Sequence, residues 1–210
     1  MRSMKWMCLA FLVAVVPGSA IAQVGKSVTI VDPSTATAAQ LGAVPGFSPA
    51  LVQELMAARP FLRQAEFDAF LAPKLTPAQR AEAYKSVFVP IDLNDVTDAE
   101  ILMIPGVANR MLREFREYAP YRGLAQFHRE IDKYVDDAEL ARLEQYVYVK
   151  IDLNTATDAD ILTIPGVGNR MLREFKEYRP YRAMAQFDRE IAKYVDAKEL
   201  ARLRRYVEIR

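Results

Sequence analysis

Toward its carboxyl end the chain spaces large apolar residues three to four apart, with charged residues filling the gaps. Met171, Phe175 and Tyr178 fall at i, i+4, i+7, and Phe187, Ile191 and Tyr194 repeat the spacing. That period lays one apolar stripe along a helix. Four helices are predicted over residues 151–210. The first starts at Thr157, three positions before Asp160; this is capping-box spacing, in which the hydroxyl takes an orphan N–H and the acid reaches back. It carries Ile161, Leu162 and Ile164, and Pro165-Gly166 stops it, because proline breaks the ladder and glycine tolerates left-handed geometry. The second runs from about Asn169 to Tyr178 and ends before Pro180; the third carries Phe187 and Ile191. The fourth, about Lys198 to Tyr206, turns Leu200, Leu203 and Val207 inward. No stretch alternates with period two for long enough to predict a strand. The expected class is all-α.

The same pattern is written three times. Ile91-Asp92-Leu93-Asn94 recurs as Ile151-Asp152-Leu153-Asn154, and the register then holds without a gap, with about seven in ten positions identical. The offset of 60 also runs backwards: Asp32, Thr37, Pro45, Gly46, Glu54, Pro60 and Phe67 stand opposite Asp92, Thr97, Pro105, Gly106, Glu114, Pro120 and Phe127. Three tandem units are expected, over 31–90, 91–150 and 151–210, since a fixed period of this kind is the signature of stacked repeats.

Within each unit one turn stands out. Ile164-Pro165-Gly166-Val167-Gly168-Asn169-Arg170 joins two short helices through two glycines with an apolar residue between them. Val167 is placed to plug the core while the glycines let the backbone come close to an outside partner. The helix that follows presents free N–H groups and its positive dipole end, which suits an anion. A nucleic-acid phosphate is such an anion, and amide contacts to it are blind to sequence. Arg170 and Arg173 lie off the Met171/Phe175 stripe and add two candidate contacts.

Asp152-Leu153-Asn154-Thr155-Ala156, Ile164-Pro165-Gly166-Val167-Gly168, Glu177-Tyr178-Arg179 and Pro180-Tyr181 resemble the helix-hairpin-helix module of the ComEA type. That family comprises exported proteins that bind double-stranded DNA during uptake. The likeness is strongest over 151–190, nearly as strong over 91–130, and skeletal over 31–70. It implies SAM-domain-like helix-hairpin-helix units. It also implies phosphate contacts from Gly166, Val167, Gly168, Asn169, Arg170 and Arg173, and by matching motif from Gly106, Val107, Ala108, Asn109, Arg110 and Arg113. Asn94 and Asn154 would pin the segment leading to the first helix of their units. The chain departs from the family pattern in three places. Lys133-Tyr134-Val135-Asp136 and Lys193-Tyr194-Val195-Asp196 stand where a second Pro-Gly hairpin is usual. Ala108 and Ser48 replace the second glycine, and unit one has no cation in its second helix before Arg59. Exported luminal photosystem subunits of the PsbU type resemble the same arrangement, with Ala119-Pro120-Tyr121 close to their pattern, and they are structural rather than DNA-binding. A shared fold therefore leaves two functions open: sequence-independent binding of duplex DNA, or a structural adaptor in the cell envelope that binds protein.

Charge distinguishes the units. Residues 31–90 hold five basic and five acidic residues, 91–150 eight and twelve, and 151–210 twelve and ten. Because sequence-blind DNA affinity comes mostly from neutralised phosphates, unit three is the best candidate. Its cations include Arg170, Arg173, Lys176, Arg179 and Arg182, with Arg202, Arg204, Arg205 and Arg210 at the carboxyl end. Arg173 and Glu177 are spaced for an i, i+4 pair that would reduce this field.

Composition narrows the chemistry. With one cysteine, one histidine and one tryptophan in 210 residues, a disulfide framework, a Cys/His metal cluster and a cysteine nucleophile are excluded. A net charge of +1 gives no global basic field, and 26% charged residues argue against an integral membrane protein. His128 stands opposite Asp188, as a solvated helix position would. Asp92, Asp95, Asp98 and Glu100 lack the ordered spacing of a calcium loop. Phe175, Tyr178, Phe187 and Tyr194 read as core. No unit keeps a His, Lys and carboxylate constellation in both good copies, so no enzyme, cofactor, metal or small-molecule substrate is expected.

Residues 1–22 read as an export signal: Arg2 and Lys5 precede an apolar run from Met7 to Val16, Pro17-Gly18 breaks it, and Ala20-Ile21-Ala22 offers a cleavage site before Gln23. The run is shorter than the roughly 20 residues a membrane span needs. Cleavage after Ala22 would leave a short segment, 23–30, ahead of the units. The product would be periplasmic or secreted, without Cys8, with a net charge of −1 and no stable membrane anchor.

Overall fold

The computed structural model describes residues 29–210, so the expected export signal lies outside the described residues. The chain is mostly helical. Residues 31–90 hold α1 (Ala38–Gly42), α2 (Pro49–Ala58), α3 (Gln64–Leu71) and α4 (Pro77–Ala83). Residues 91–150 hold β1 (Ile91–Asp92), α5 (Asp98–Leu102), α6 (Asn109–Glu117), α7 (Leu124–Ile131), α8 (Asp137–Glu144) and β2 (Val147–Tyr148). Residues 151–210 hold β3 (Ile151–Asp152), α9 (Asp158–Leu162), α10 (Asn169–Glu177), α11 (Met184–Ile191), α12 (Ala197–Arg204) and β4 (Val207–Glu208).

Local chemistry sets the helix starts. Thr37 with Gln40, Thr97 with Glu100, and Thr157 with Asp160 each close a full capping box, and Asp136 and Asp196 cap α8 and α12. The turns after α1, α5 and α9 place Gly46, Gly106 and Gly166 at φ +84°, +83° and +78°, the left-handed region that disfavours every residue with a Cβ. The Arg59–Pro60, Ala119–Pro120 and Arg179–Pro180 bonds are cis. Asn154 Nδ2 donates to Tyr181 O at 2.9 Å while Tyr181 N donates to Asn154 Oδ1 at 2.7 Å. Asn94 and Tyr121 make the same reciprocal pair. At the matching position Ser34 Oγ bridges the N–H and C=O of Phe61.

Some boundaries differ from those the apolar spacing predicts. α9 is only five residues long, so its stripe ends before Ile164; that residue is buried from the following turn, while Leu162 is 41% exposed. α11 stops at Ile191 and leaves Tyr194 in a turn. α12 ends at Arg204, and Val207 is buried from a strand. Strands are the main departure. β1 pairs with β2 and β3 with β4, both parallel, and a Val31–Val87 bridge does the same for residues 31–90. Each ladder joins the first residues of a segment to its last. Two residues are too few for a period of two to register.

One apolar cluster runs continuously from Ile30 to Val149, and a second holds Tyr148 to Val207. Phe115 meets Phe127, and Phe175 meets Phe187, edge to face at 5.0 and 5.3 Å. Phe175 and Phe187 are core, as expected, whereas Tyr178 and Tyr194, expected with them, are half-buried and bring their hydroxyls together at 2.8 Å. Polar clasps tie the segments together: Arg63 to Glu100 at 2.8 Å, Tyr206 Oη donating to Asp32 at 3.1 Å, and Arg205 donating to the carbonyls of Phe61 and Pro90. No helix among the described residues is long and apolar enough to cross a membrane.

Candidate phosphate-binding hairpins

The turn from Pro165 to Arg170 is built from inside outward. Val167 is buried, and its N–H closes on Ile164 O at 3.0 Å. Gly166, Gly168, Asn169 and Arg170 are exposed. Gly168 is the N-cap of α10 in extended geometry and has no side chain with which to cap it. The amides of Gly166, Gly168, Asn169, Arg170 and Met171 accordingly donate to no protein acceptor. In the second hairpin, Ala108 caps α6 equally poorly, and Gly106, Ala108, Asn109, Arg110 and Met111 have the same unused donors. Val107 is less deeply buried than Val167. At the start of α2, Ser48 Oγ accepts from Leu51 N at 3.2 Å, and Pro49 has no N–H to offer. Residues 46–51 therefore present fewer free donors.

Ion pairing sorts the cations. Among the described residues, the side chains of Arg110, Arg113, Arg122, Arg170, Arg173, Arg182 and Lys198 make no hydrogen bond or ion pair. Six of these seven are three matched pairs at an offset of 60. The Arg173/Glu177 pair that the spacing suggested is not formed. The other expected cations are engaged: Lys176 with Asp158, Arg204 with Asp188, Arg210 with Glu208, and Arg179 with Ala156 O. Arg205 is spent on backbone carbonyls. Of the positive charge anticipated at the carboxyl end, Arg202 and Arg205 are therefore turned into the fold, while Arg204 and Arg210 stay exposed but paired with carboxylates.

Arg202 is the part of this site that sequence reading misassigns. Only 2% exposed, it holds Glu199 through Nε and Nη2 and donates Nη1 to Pro165 O at 2.6 Å. Burial works against its charge, but Glu199 outweighs that and the guanidinium titrates above its ordinary range. A Cβ on Gly166 would lie 3.0 Å from Arg202 Nη2, so position 166 needs glycine for space as well as for φ. Arg142 grips Glu139 in the same way and sits 3.3 Å from a Cβ on Gly106, without a bond to Pro105 O. The signal was present in the sequence as Glu-x-x-Arg in both copies, a pair that turns the arginine toward its own helix.

Each hairpin also faces residues 31–90. Pro165 and Gly166 line a cleft of about 320 Å³ with Thr35, Ala36, Gln40 and Gln145. Ile104, Gly106 and Val107 line a groove of about 590 Å³ with Ala78, Ala81 and Tyr84. The Pro-Gly edge is thus partly sheltered in both, whereas the helix starts beyond it remain exposed.

His128 is not a bare solvated position: its Nδ1 meets Glu144 at 2.8 Å. The matched residues in the other segments pair too, as Asp188 with Arg204 at 2.7 Å and Asp68 with Tyr84 at 2.5 Å. Of the acidic cluster, Asp92 pairs with Lys150, Asp98 with Arg116, and Asp95 and Glu100 with Arg63. Among the described residues no group of three or more His, Cys, Asp or Glu could hold a metal. Comparison of the chain with protein-family models, curated proteins and solved structures finds no match.

Proposed function

We propose that this chain is an exported, non-enzymatic protein of three tandem helix-hairpin-helix units that binds duplex DNA through its phosphate backbone. The observation that carries this reading is the coincidence, at two matched places, of uncapped helix amides with arginines that have no partner: Arg110 and Arg113 on α6, Arg170 and Arg173 on α10. A folded protein ordinarily satisfies such groups or leaves them to water, and clustering donors with bare cations suits an anionic strand. Recurrence of the positive-φ glycine, the Asn–Tyr clasp and the closing parallel ladder at an offset of 60 supports the repeat reading. Residues 31–90 would serve as architecture. Fluorescence anisotropy of residues 23–210 with a duplex tests the proposal. Salt-sensitive binding weakened by Arg170→Glu with Arg173→Glu is expected; absence of binding at low salt would refute it.

A second reading, an envelope adaptor, is favoured by the groove beside the second hairpin. Its Ala78, Ala81, Ile104 and Val107 lining offers an apolar seat for a protein segment. Under that reading the duplex would not bind and substitutions lining the groove would release a partner.

A further inference from the structure

The third hairpin has a fastening that the second lacks. Val167 N closes on Ile164 O at 3.0 Å with Gly166 at φ +78°, which makes Pro165 and Gly166 the central pair of a type II turn. The peptide joining such a pair can flip by a half-turn to the type I arrangement, and glycine tolerates both. The carbonyl and the amide of one trans peptide point in opposite directions, so whatever holds Pro165 O also aims Gly166 N–H. Arg202 Nη1 holds it, donating at 2.6 Å from a side chain that is 2% exposed and bound to Glu199 through its other two nitrogens. Gly166 N–H has no protein acceptor, and the residue is exposed.

The turns at Gly46 and Gly106 have the same positive φ without that fastening. Arg142, matched to Arg202, grips Glu139 alike but makes no bond to Pro105 O, and its side chain is 30% exposed. Glu82 stands at that position in residues 31–90 and pairs with Lys85. Arg202 differs from both in facing residues 31–90: Ser34, Arg59 and Pro60 line one small space with it. A hydrogen bond from a cation to a carbonyl is stronger than a neutral one and polarises the peptide, which makes its N–H a better donor. We infer that Arg202 is a positioning residue of the third hairpin: by anchoring Pro165 O it keeps the Gly166 N–H turned outward, set to donate to a phosphate. Resting on the phosphate reading of the hairpins, this makes the third the tighter of the two.

Two measurements on the purified chain test this. In the unaltered ¹⁵N-labelled chain without duplex, relaxation dispersion should show millisecond exchange at the Gly106 amide and none at Gly166. Exchange at both, or at neither, would overturn the assignment, because Arg202 would then make no difference to its peptide. This arm needs no variant, so it decides even if a substitution at position 202 unfolds the chain. The second arm is duplex anisotropy. Arg202→Lys keeps the charge but cannot grip Glu199 and Pro165 O together; it should weaken binding about fivefold, the worth of one hydrogen bond, without changing the slope of log affinity against log salt. Arg142→Lys should change neither. Undiminished affinity in Arg202→Lys, or equal loss in both variants, would overturn the assignment. So would a slope shallower by about one, since Arg202 would then neutralise a phosphate itself. A wild-type chain that binds no duplex would instead refute the phosphate reading, and the first arm would still decide whether Arg202 fixes the peptide.

Discussion

Gly166 and Gly168 stand two residues apart in one turn, yet physics asks different things of them. Gly166 has φ +78° and faces Arg202 Nη2 3.0 Å from where a Cβ would sit; Gly168 has φ −110° and open space around it. Gly166→Ala is therefore expected to lower stability by about 1–3 kcal/mol through backbone strain and displacement of the guanidinium. Gly168→Ala should cost less than about 1 kcal/mol, since alanine is only a poorer N-cap, while holding a phosphate further from the amides. Thermal melts and duplex anisotropy on the two variants check this: stability should fall in the first, affinity without stability in the second. The sequence conveys the first requirement through the Pro-Gly pair. It conceals Arg202, because an arginine near a helix end reads as a surface cation until Glu199 and Pro165 are seen to claim it.

At the scale of elements, threonine caps and Pro-Gly stops made the helix starts legible, and the apolar stripes placed Phe175 and Phe187 correctly in the core. The two-residue ladders were not legible, nor was the tether between the third and fourth helices of each segment. That tether is Asp68–Tyr84, then His128–Glu144, then Asp188–Arg204, so its charges change sides between copies and no single residue type marks it. Swapping both partners, His128→Asp with Glu144→Arg, should retain stability, whereas Glu144→Arg alone should lose up to about 1 kcal/mol, the range for exposed pairs. A double-mutant cycle in urea measures the difference. Each hairpin element, if it neutralises two to four phosphates, should give a slope of log affinity against log salt of about −2 to −4.

For the molecule as a whole, one apolar cluster runs from Ile30 to Val149, and the cluster of the third segment takes in Tyr148, whose ring meets Tyr206 at 4.7 Å, so an aromatic contact as well as polar clasps joins it to the rest. The Arg63–Glu100 clasp makes acid sensitivity predictable. Burial alone would raise the Glu100 carboxyl, but Arg63 and the Thr97 cap outweigh it and hold it below its ordinary value of 4.5. A carboxyl lowered in the folded state contributes stability that is complete above the unfolded value and is lost as pH falls through the folded one. Arg63→Ala should thus be destabilising at neutral pH, and its gap from the wild type should narrow as pH drops below about 4.5. Urea unfolding across pH 3 to 7 follows that gap. None of this pairing is visible in the sequence, since Arg63 and Glu100 lie 37 residues apart on different repeats of the pattern.

The most direct measurement is an amide correlation spectrum of the ¹⁵N-labelled chain titrated with a short duplex. Peaks from Gly166, Gly168, Asn169, Arg170 and Met171, and more weakly those from Gly106 to Met111, should move together and return when salt is raised. Residues 46–51, where Ser48 and Pro49 close the helix start, should stay still. Shifts confined to other surfaces, or equal movement in residues 46–51, would contradict the claim that bare hairpin amides grip the strand.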